Sequence, residues 1–178
     1  MKRTLVILAL VTILLAFSVS CDNGGLSFPD FVLETILNAE PDVLIGVGTA
    51  NSSTISASRA KAEIARQMNT MTSYMLQDYQ ASNTVDPLTA VLFQEEMIGE
   101  LSKSPLTYSF IKDMRIGKNK KVWAVAFFEK TDVAEELKKA ESAAKSAVPG
   151  MDSFSVDDFM DDAFDIVNTE ERLKLLHD

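Results

Sequence analysis

The sequence predicts an α+β domain. A small antiparallel or mixed sheet, made from a strand at 42–48 and a hairpin at 105–129, is packed by one long helix at 53–80, with further helices and an acidic C-terminal helix. Three observations predict it. Apolar residues recur at three- and four-residue steps from Ala57 to Tyr79, the period drops to two from Tyr108 to Ile116, and a continuous apolar run follows from Val122 to Phe128.

The elements follow in order. Phe28-Pro29-Asp30 leads into Phe31, Val32, Ile36 and Leu37, a short helical pattern with Pro and Asp at its start. Residues 42–47 are mostly apolar and β-branched, bounded by Pro41 and by Gly46 and Gly48, and read as a buried strand. Ser52, Ser53 and Thr54 offer N-caps for the long helix, in which Ala57, Ala60, Ile64, Met68, Met71, Met75 and Tyr79 share a face. Arg59, Lys61, Glu63, Arg66 and Gln67 lie opposite; at about 1.5 Å per residue this helix runs roughly 40 Å, enough to cross a sheet. After a break between Asn83 and Pro87, Leu88 to Leu101 resumes a helical pattern through Val91, Leu92, Glu95 and Ile98. Gly117-Lys118-Asn119-Lys120 is a turn signal, and the apolar run after it makes the second hairpin strand the central one. Asp132 with Glu135 resembles a capping box, opening a helix through Leu137, Ala140, Ala144 and Ala147. Pro149-Gly150 stops it, and the α+β domain of 28–148 is expected to close there. Residues 149–178 then form an acidic amphipathic helix with Phe154, Phe159, Ala163, Ile166 and Val167 on one side.

The first 27 residues speak of export. Lys2 and Arg3 precede an apolar run from Leu5 to Phe17 that ends in small residues, the layout of a signal peptide over 1–20. A run of about 13 residues falls short of the roughly 20 a bilayer span needs, an uncleaved anchor being the alternative. Cys21, the only cysteine, follows directly, and Phe17-Ser18-Val19-Ser20-Cys21 resembles a bacterial lipobox in which Ser18 and Ser20 replace the usual Leu and Gly or Ala. Cleavage before Cys21 would leave it carrying diacylglyceryl and N-acyl groups, a stable membrane anchor without a spanning helix. Residues 21–27 then serve as a short tether, and the expected location is the bacterial envelope, on the periplasmic face of the outer membrane.

Composition excludes more than it assigns. With 26 acidic and 17 basic residues the net charge is −9, and loss of Lys2 and Arg3 with the leader deepens it by two. That balance speaks against nucleic acid and anionic lipid headgroups as electrostatic partners. His177 is the single histidine, so neither a Ser-His-Asp nor a Cys-His nucleophile system is available, and one Cys with one His builds no zinc site. Gly46-x-Gly48 lacks the third glycine of a dinucleotide turn, Asn51 standing there, and reads as a structural turn needing glycine for positive φ or close backbone approach. Met68, Met71 and Met75 read as a packed seam, with Cu(I) binding the other reading. Asp157, Asp158, Asp161, Asp162 and Asp165 lack the spacing of a calcium loop and read as a solvated face, with weak calcium binding as the alternative. No catalytic residue, metal ligand or cofactor is assigned, and a non-enzyme is expected. Tyr108, Trp123 and Phe127 are the candidates for a ligand pocket between long helix and sheet, or else fill the core.

Ile45-Gly46-Val47-Gly48-Thr49-Ala50, followed by Ser58-Arg59-Ala60-Lys61-Ala62-Glu63-Ile64-Ala65-Arg66-Gln67, resembles the LPP-twenty-like family of bacterial envelope lipoproteins. That family's pattern is a strand ending in Gly-x-Gly-x-Ala before a long Ala-rich helix with an Ala-Arg pair. Pro29-Asp30-Phe31-Val32 resembles its Pro-x-Trp-Val opening, with Phe31 in place of Trp, and the strand from Trp123 to Phe128 its closing one. The resemblance spans residues 28–130. It implies an exported, lipid-anchored α/β domain, related in fold to the N-terminal domain of a flagellar rim protein, and brings no catalytic residues. Two functions are therefore expected: a structural or assembly role through contacts with envelope proteins, or ligand binding in a pocket between helix and sheet.

Overall fold

Eight elements follow one another in the computed structural model, which describes residues 28–104, 106, 108–117 and 120–177. They are α1 (Asp30–Leu37), β1 (Val43–Ala50), α2 (Ser53–Ser82), α3 (Pro87–Lys103), β2 (Phe110–Ile116), β3 (Val122–Glu129), α4 (Lys130–Ala147) and α5 (Val156–His177). The fold is α+β, as the periodicities predict. Its sheet is wholly antiparallel with order β1-β3-β2, which puts the continuous apolar strand in the centre.

Strand parity divides the core in two. Leu44, Ala124, Ala126 and Phe128 face α2 and join its Ala60, Ile64, Met68, Met71 and Met75. Val43, Ile45, Trp123, Val125 and Phe127 face the other way, onto Val32 and Ile36 of α1 and Leu175 near the end of α5. The methionine stripe is thus the packed seam of α2, each of the three at most 1% exposed.

Gly46 and Gly48 correct one expectation. They lie inside β1, which runs on to Ala50, rather than in a turn, and Gly150 is the described glycine with positive φ. Of the two reasons for glycine, close approach is the operative one. A Cβ on Gly46 would stand 2.0 Å from the Ala60 carbonyl oxygen, and one on Gly48 2.2 Å from that of Ser56. With Ala126 opposite Gly46 and Ala124 opposite Gly48, the sheet offers a shallow trough into which the backbone of α2 settles. The Ser56 hydroxyl donates to Val122 O at 2.8 Å, inside that contact.

Local signals set most boundaries. Ser52 caps α2 by accepting from Ile55 N, and Asp86 caps α3 by accepting from Thr89 N at 2.9 Å, with Pro87 in the first turn. The capping box at Asp132 and Glu135 does not form. Helix α4 starts at Lys130, straight off β3, where the Lys130 N–H donates to Asp42 O at 2.9 Å, so a tertiary bond fixes the start. On α3 the buried face is Ala90, Phe93, Met97 and Leu101, not the row through Val91, Leu92 and Glu95, because apolar residues occupy both sides of this helix.

The core does not close at Pro149-Gly150. Gly150, at φ 98°, turns the chain back, and Met151, Phe154, Val156, Met160, Phe164 and Val167 are buried in the same core as α2. Phe154 stands edge-on to both Tyr79 (5.4 Å) and Phe93 (5.3 Å), while the Tyr79 hydroxyl and Ser153 Oγ share a hydrogen bond of 2.6 Å. Across the middle of α5, Arg66 joins Glu171 at 2.5 Å. Hydrogen bonds that the Arg66 guanidinium donates to Glu63 above all, and to Glu171, hold it more basic than usual against the opposing effect of its burial.

Side chains close the outer edge of β1. Arg59 donates to Thr49 O (2.6 Å), Gln67 to Ile45 O (2.7 Å) and Arg172 to Val43 O (3.4 Å), all odd-numbered residues of the strand. The β2 edge is instead charged and irregular, with Lys112, Asp113 and Arg115 and a break in register between Ile111 and Asp113. Charge and irregularity of this kind discourage strand addition.

Candidate functional site

Among the described residues the sheet face away from α2 is incompletely covered, because α1 has only eight residues and buries just Val32 and Ile36. Aromatic rings and cations complete that layer. Phe28 stands edge-on to Trp123 at 5.6 Å, the Arg115 guanidinium lies 5.0 Å above Phe31, and Phe110 meets Phe127 at 6.1 Å with the Lys112 ammonium 5.8 Å over the Phe127 ring. Between the C-terminal end of α1 and β2 runs an open groove of about 430 Å³, floored by Phe127, Val43 and Phe110 and rimmed by Thr35, Asn38 and Lys112.

Trp123 and Phe127 therefore share a face, but it is not the face that meets the long helix. Their odd positions put them opposite Ala124, Ala126 and Phe128, and the helix-sheet interface is closed by the glycine trough. Tyr108 belongs to neither. A turn closed by Ser109 N–H onto Leu106 O (3.0 Å), with Leu106 at φ 44°, takes it out of the strand before β2 begins at Phe110. Half-exposed, it rests under the Lys139 ammonium at 5.6 Å, beside a hollow of about 400 Å³ lined by Ser104, Glu136 and Ala140. The sequence-predicted trio is thus split between two places.

Electrostatics in that hollow are settled internally. Burial pushes the Glu136 carboxyl up, but hydrogen bonds from Lys139 (2.8 Å) and Ser104 (2.7 Å), with the charge of Lys139, outweigh it and hold the group below its usual range. Two buried polar atoms on the aromatic face have no hydrogen-bond partner among the described residues: the Trp123 indole N–H and the Thr49 hydroxyl, whose residues are paired across β1 and β3. Each such orphan costs about 1–3 kcal/mol.

A third recess, about 710 Å³, opens at the sheet end where β3 passes into α4, with Glu40, Asp42, Glu129, Asp157 and Asp161 around Lys130. Lys130 reaches Asp161 at 2.9 Å and Asp165 at 3.7 Å and lies 4.9 Å over the ring of Phe164, while Asp157 pairs with Lys138 at 2.7 Å. The tail acids therefore serve in part as partners for α4 lysines. Among the described residues no three acidic, His or Cys side chains are grouped to hold a metal ion. His177 is exposed, its Nδ1 2.6 Å from Leu173 O. Cys21, the proposed lipidation site, lies outside the described residues, and among those described no helix is long and apolar enough to cross a membrane.

One feature the periodicity obscured is an apolar stripe on the outside of α3. Leu88, Val91 and Leu92, at steps of three and four, are 64%, 48% and 46% exposed. The signal for it was present, since Ala90, Phe93, Met97 and Leu101 already form a complete buried row. No family model matches the chain, and neither a curated protein nor a solved structure is significantly similar to it.

Proposed function

We propose that this is a lipid-anchored protein of the bacterial envelope, tethered through acyl groups on Cys21, that works without catalysis by docking to other envelope proteins. The observation that carries the docking half is the stripe of Leu88, Val91 and Leu92, three large apolar side chains exposed on one helix face while the same helix buries another row. Helix-face anchors at this spacing suit a groove or helix on a protein partner. The acidic helix α5 contributes only its outer side to any such contact, its apolar side being occupied in the core. The leader, the lipobox-like segment and the family resemblance support the anchor. In-cell crosslinking, followed by purification from membranes and mass spectrometry, tests the docking half. A reproducible, near-stoichiometric partner that Leu88→Lys with Leu92→Lys abolishes, at unchanged melting temperature, supports it; an unaltered partner profile in that variant overturns the assignment of the surface.

The alternative, a ligand-binding lipoprotein, is favoured by one observation: the α1–β2 groove has an aromatic floor, with Lys112 and Arg115 set among Glu34, Glu40, Asp113 and Glu129 around it. A rise in melting temperature with an envelope metabolite, abolished by Phe110→Ser, would support that reading over the first.

A further inference from the structure

We infer that the end of the sheet carrying the β2–β3 turn is the face this domain lays against the membrane, in contact with anionic phospholipid headgroups. The inference rests on the anchoring through Cys21 proposed above and adds an orientation to it. Three independent features converge on that end.

The first is where the chain arrives. Cys21 stands seven positions before Phe28, a reach of at most about 24 Å. Phe28 packs on Trp123, whose partner across the hairpin is Arg115, and Arg115 covers Phe31. Helix α1 then leads away toward the opposite end, where Arg172 donates to Ala39 O at 3.3 Å. The tether thus joins the domain at the turn end of the sheet.

The second is charge. Although the chain carries −9, its charges are segregated. Arg115, Lys120 and Lys121 surround the β2–β3 turn, and Arg59 lies alongside, bonded to Thr49 O at 2.6 Å, one residue before the end of β1. The N-terminus of the 30-residue α2 opens at the same end, since Ala50 pairs with Val122. Among the described residues the acids here are Asp113, bound to Arg115 at 2.7 Å, and Asp30 at the start of α1. At the far end, by contrast, Glu40, Asp42, Glu129, Asp157 and Asp161 surround Lys130. Over a Debye length of about 8 Å a membrane senses the near end and not the total, so the net charge does not decide the matter.

The third is apolar exposure. Ile116, the last residue of β2, is 74% exposed, and Ile55 in the first turn of α2 is 51% exposed. An isoleucine beside lysines at a hairpin tip is suited to the boundary between headgroup and acyl chain, with the ammonium groups at phosphate level.

The test reconstitutes the full acylated protein into vesicles of phosphatidylcholine alone or of equimolar phosphatidylcholine and phosphatidylglycerol, and follows flotation and amide hydrogen exchange. Flotation with both vesicles, and several-fold slower exchange at 51–56 and 115–121 in the phosphatidylglycerol vesicles, with 157–165 unchanged, is the expected result. Lys120→Glu with Ile116→Ser should still float and melt as the parent does, yet lose the protection. Flotation without slowed exchange at the turn, or slowing that survives both substitutions, overturns the orientation and leaves the anchor standing. Failure to float with either vesicle overturns the anchor and the orientation with it.

Discussion

Gly46 and Gly48, set against Gly99 and Gly150, make a graded test of how α2 sits on the sheet. At Gly46 an added methyl would stand 2.0 Å from the Ala60 carbonyl oxygen and 3.0 Å from Ile64 Cγ1; at Gly48, 2.2 Å from Ser56 O and 2.4 Å from Ala60 N. Because the obstructing atoms are helix backbone, no rotamer change relieves the clash, and α2 must retreat by roughly 1 Å or more, which places the cost at the upper end of the 1–3 kcal/mol of overpacking. That retreat also stretches the Ser56–Val122 and Gln67–Ile45 hydrogen bonds. Gly46→Ala and Gly48→Ala should therefore each cost about 3 kcal/mol, or roughly 10 °C in melting temperature for a domain of this size. Gly99, inside α3 with nothing within 4 Å of its Cβ position, predicts the opposite sign: Gly99→Ala should stabilise by about 0.8 kcal/mol. Gly150→Ala, at φ 98°, should cost about 1–2 kcal/mol through backbone strain, its Cβ position being open to within 3.8 Å of Thr89. Thermal and urea unfolding with unchanged urea dependence read all four. A Gly46→Ala protein melting within about 2 °C of the parent, or a Gly99→Ala protein as damaged as Gly46→Ala, would refute the close-approach account.

Three other expectations are open to simple measurement. Arg172 ties α5 to the segment before β1, donating to Ala39 O, Glu40 O and Val43 O, and burial holds its guanidinium below the usual basicity; Arg172→Met should cost about 2 kcal/mol by urea unfolding and speed amide exchange at 39–43. Removing 151–178 strips Met151, Phe154, Val156, Met160, Phe164 and Val167 from the main core, so the truncated chain should lose its cooperative thermal transition, whereas a sharp transition would mean that the tail is dispensable. Glu136 has a folded-state pKa below its ordinary 4.5. Its contribution is present above that ordinary value and fades as pH falls through the lower folded one, so the stability gap between the parent and Glu136→Gln should be full at neutral pH and shrink in acid.

What the sequence revealed follows from the strength of each periodic signal. The seam from Ala60 to Tyr79 is long and keeps to steps of three and four, and α2 follows it closely. The unbroken apolar run of β3 signals burial on both faces, which is what a central strand experiences. Alternation carries Tyr108 into the strand because it cannot show where a strand begins: the turn at Leu106 interrupts the pattern while the residue types continue it. Trp123 and Phe127 lie on the face away from α2, and the small residues of the two strands signal it. Gly46, Gly48, Ala124 and Ala126 are the small side chains, and only their face admits a helix backbone so closely. Pro149-Gly150 suggested the end of a domain because the same residues end a helix whether the chain leaves or turns back, and only the burial of Phe154 and Phe164 distinguishes the two. The stripe on α3 was hidden by a helix apolar on two sides, where spacing alone does not say which side faces in.

The most direct test of the account as a whole is the mass of the N-terminal fragment released from the membrane-bound protein by protease. Residues 1–20 should be absent and the fragment should begin at a Cys21 bearing diacylglyceryl and N-acyl groups, with mild alkali removing the mass of the two ester-linked chains and leaving the S-glyceryl and amide-linked groups in place. A fragment that retains Lys2 and Arg3, or an unmodified Cys21 thiol in the mature chain, would contradict it.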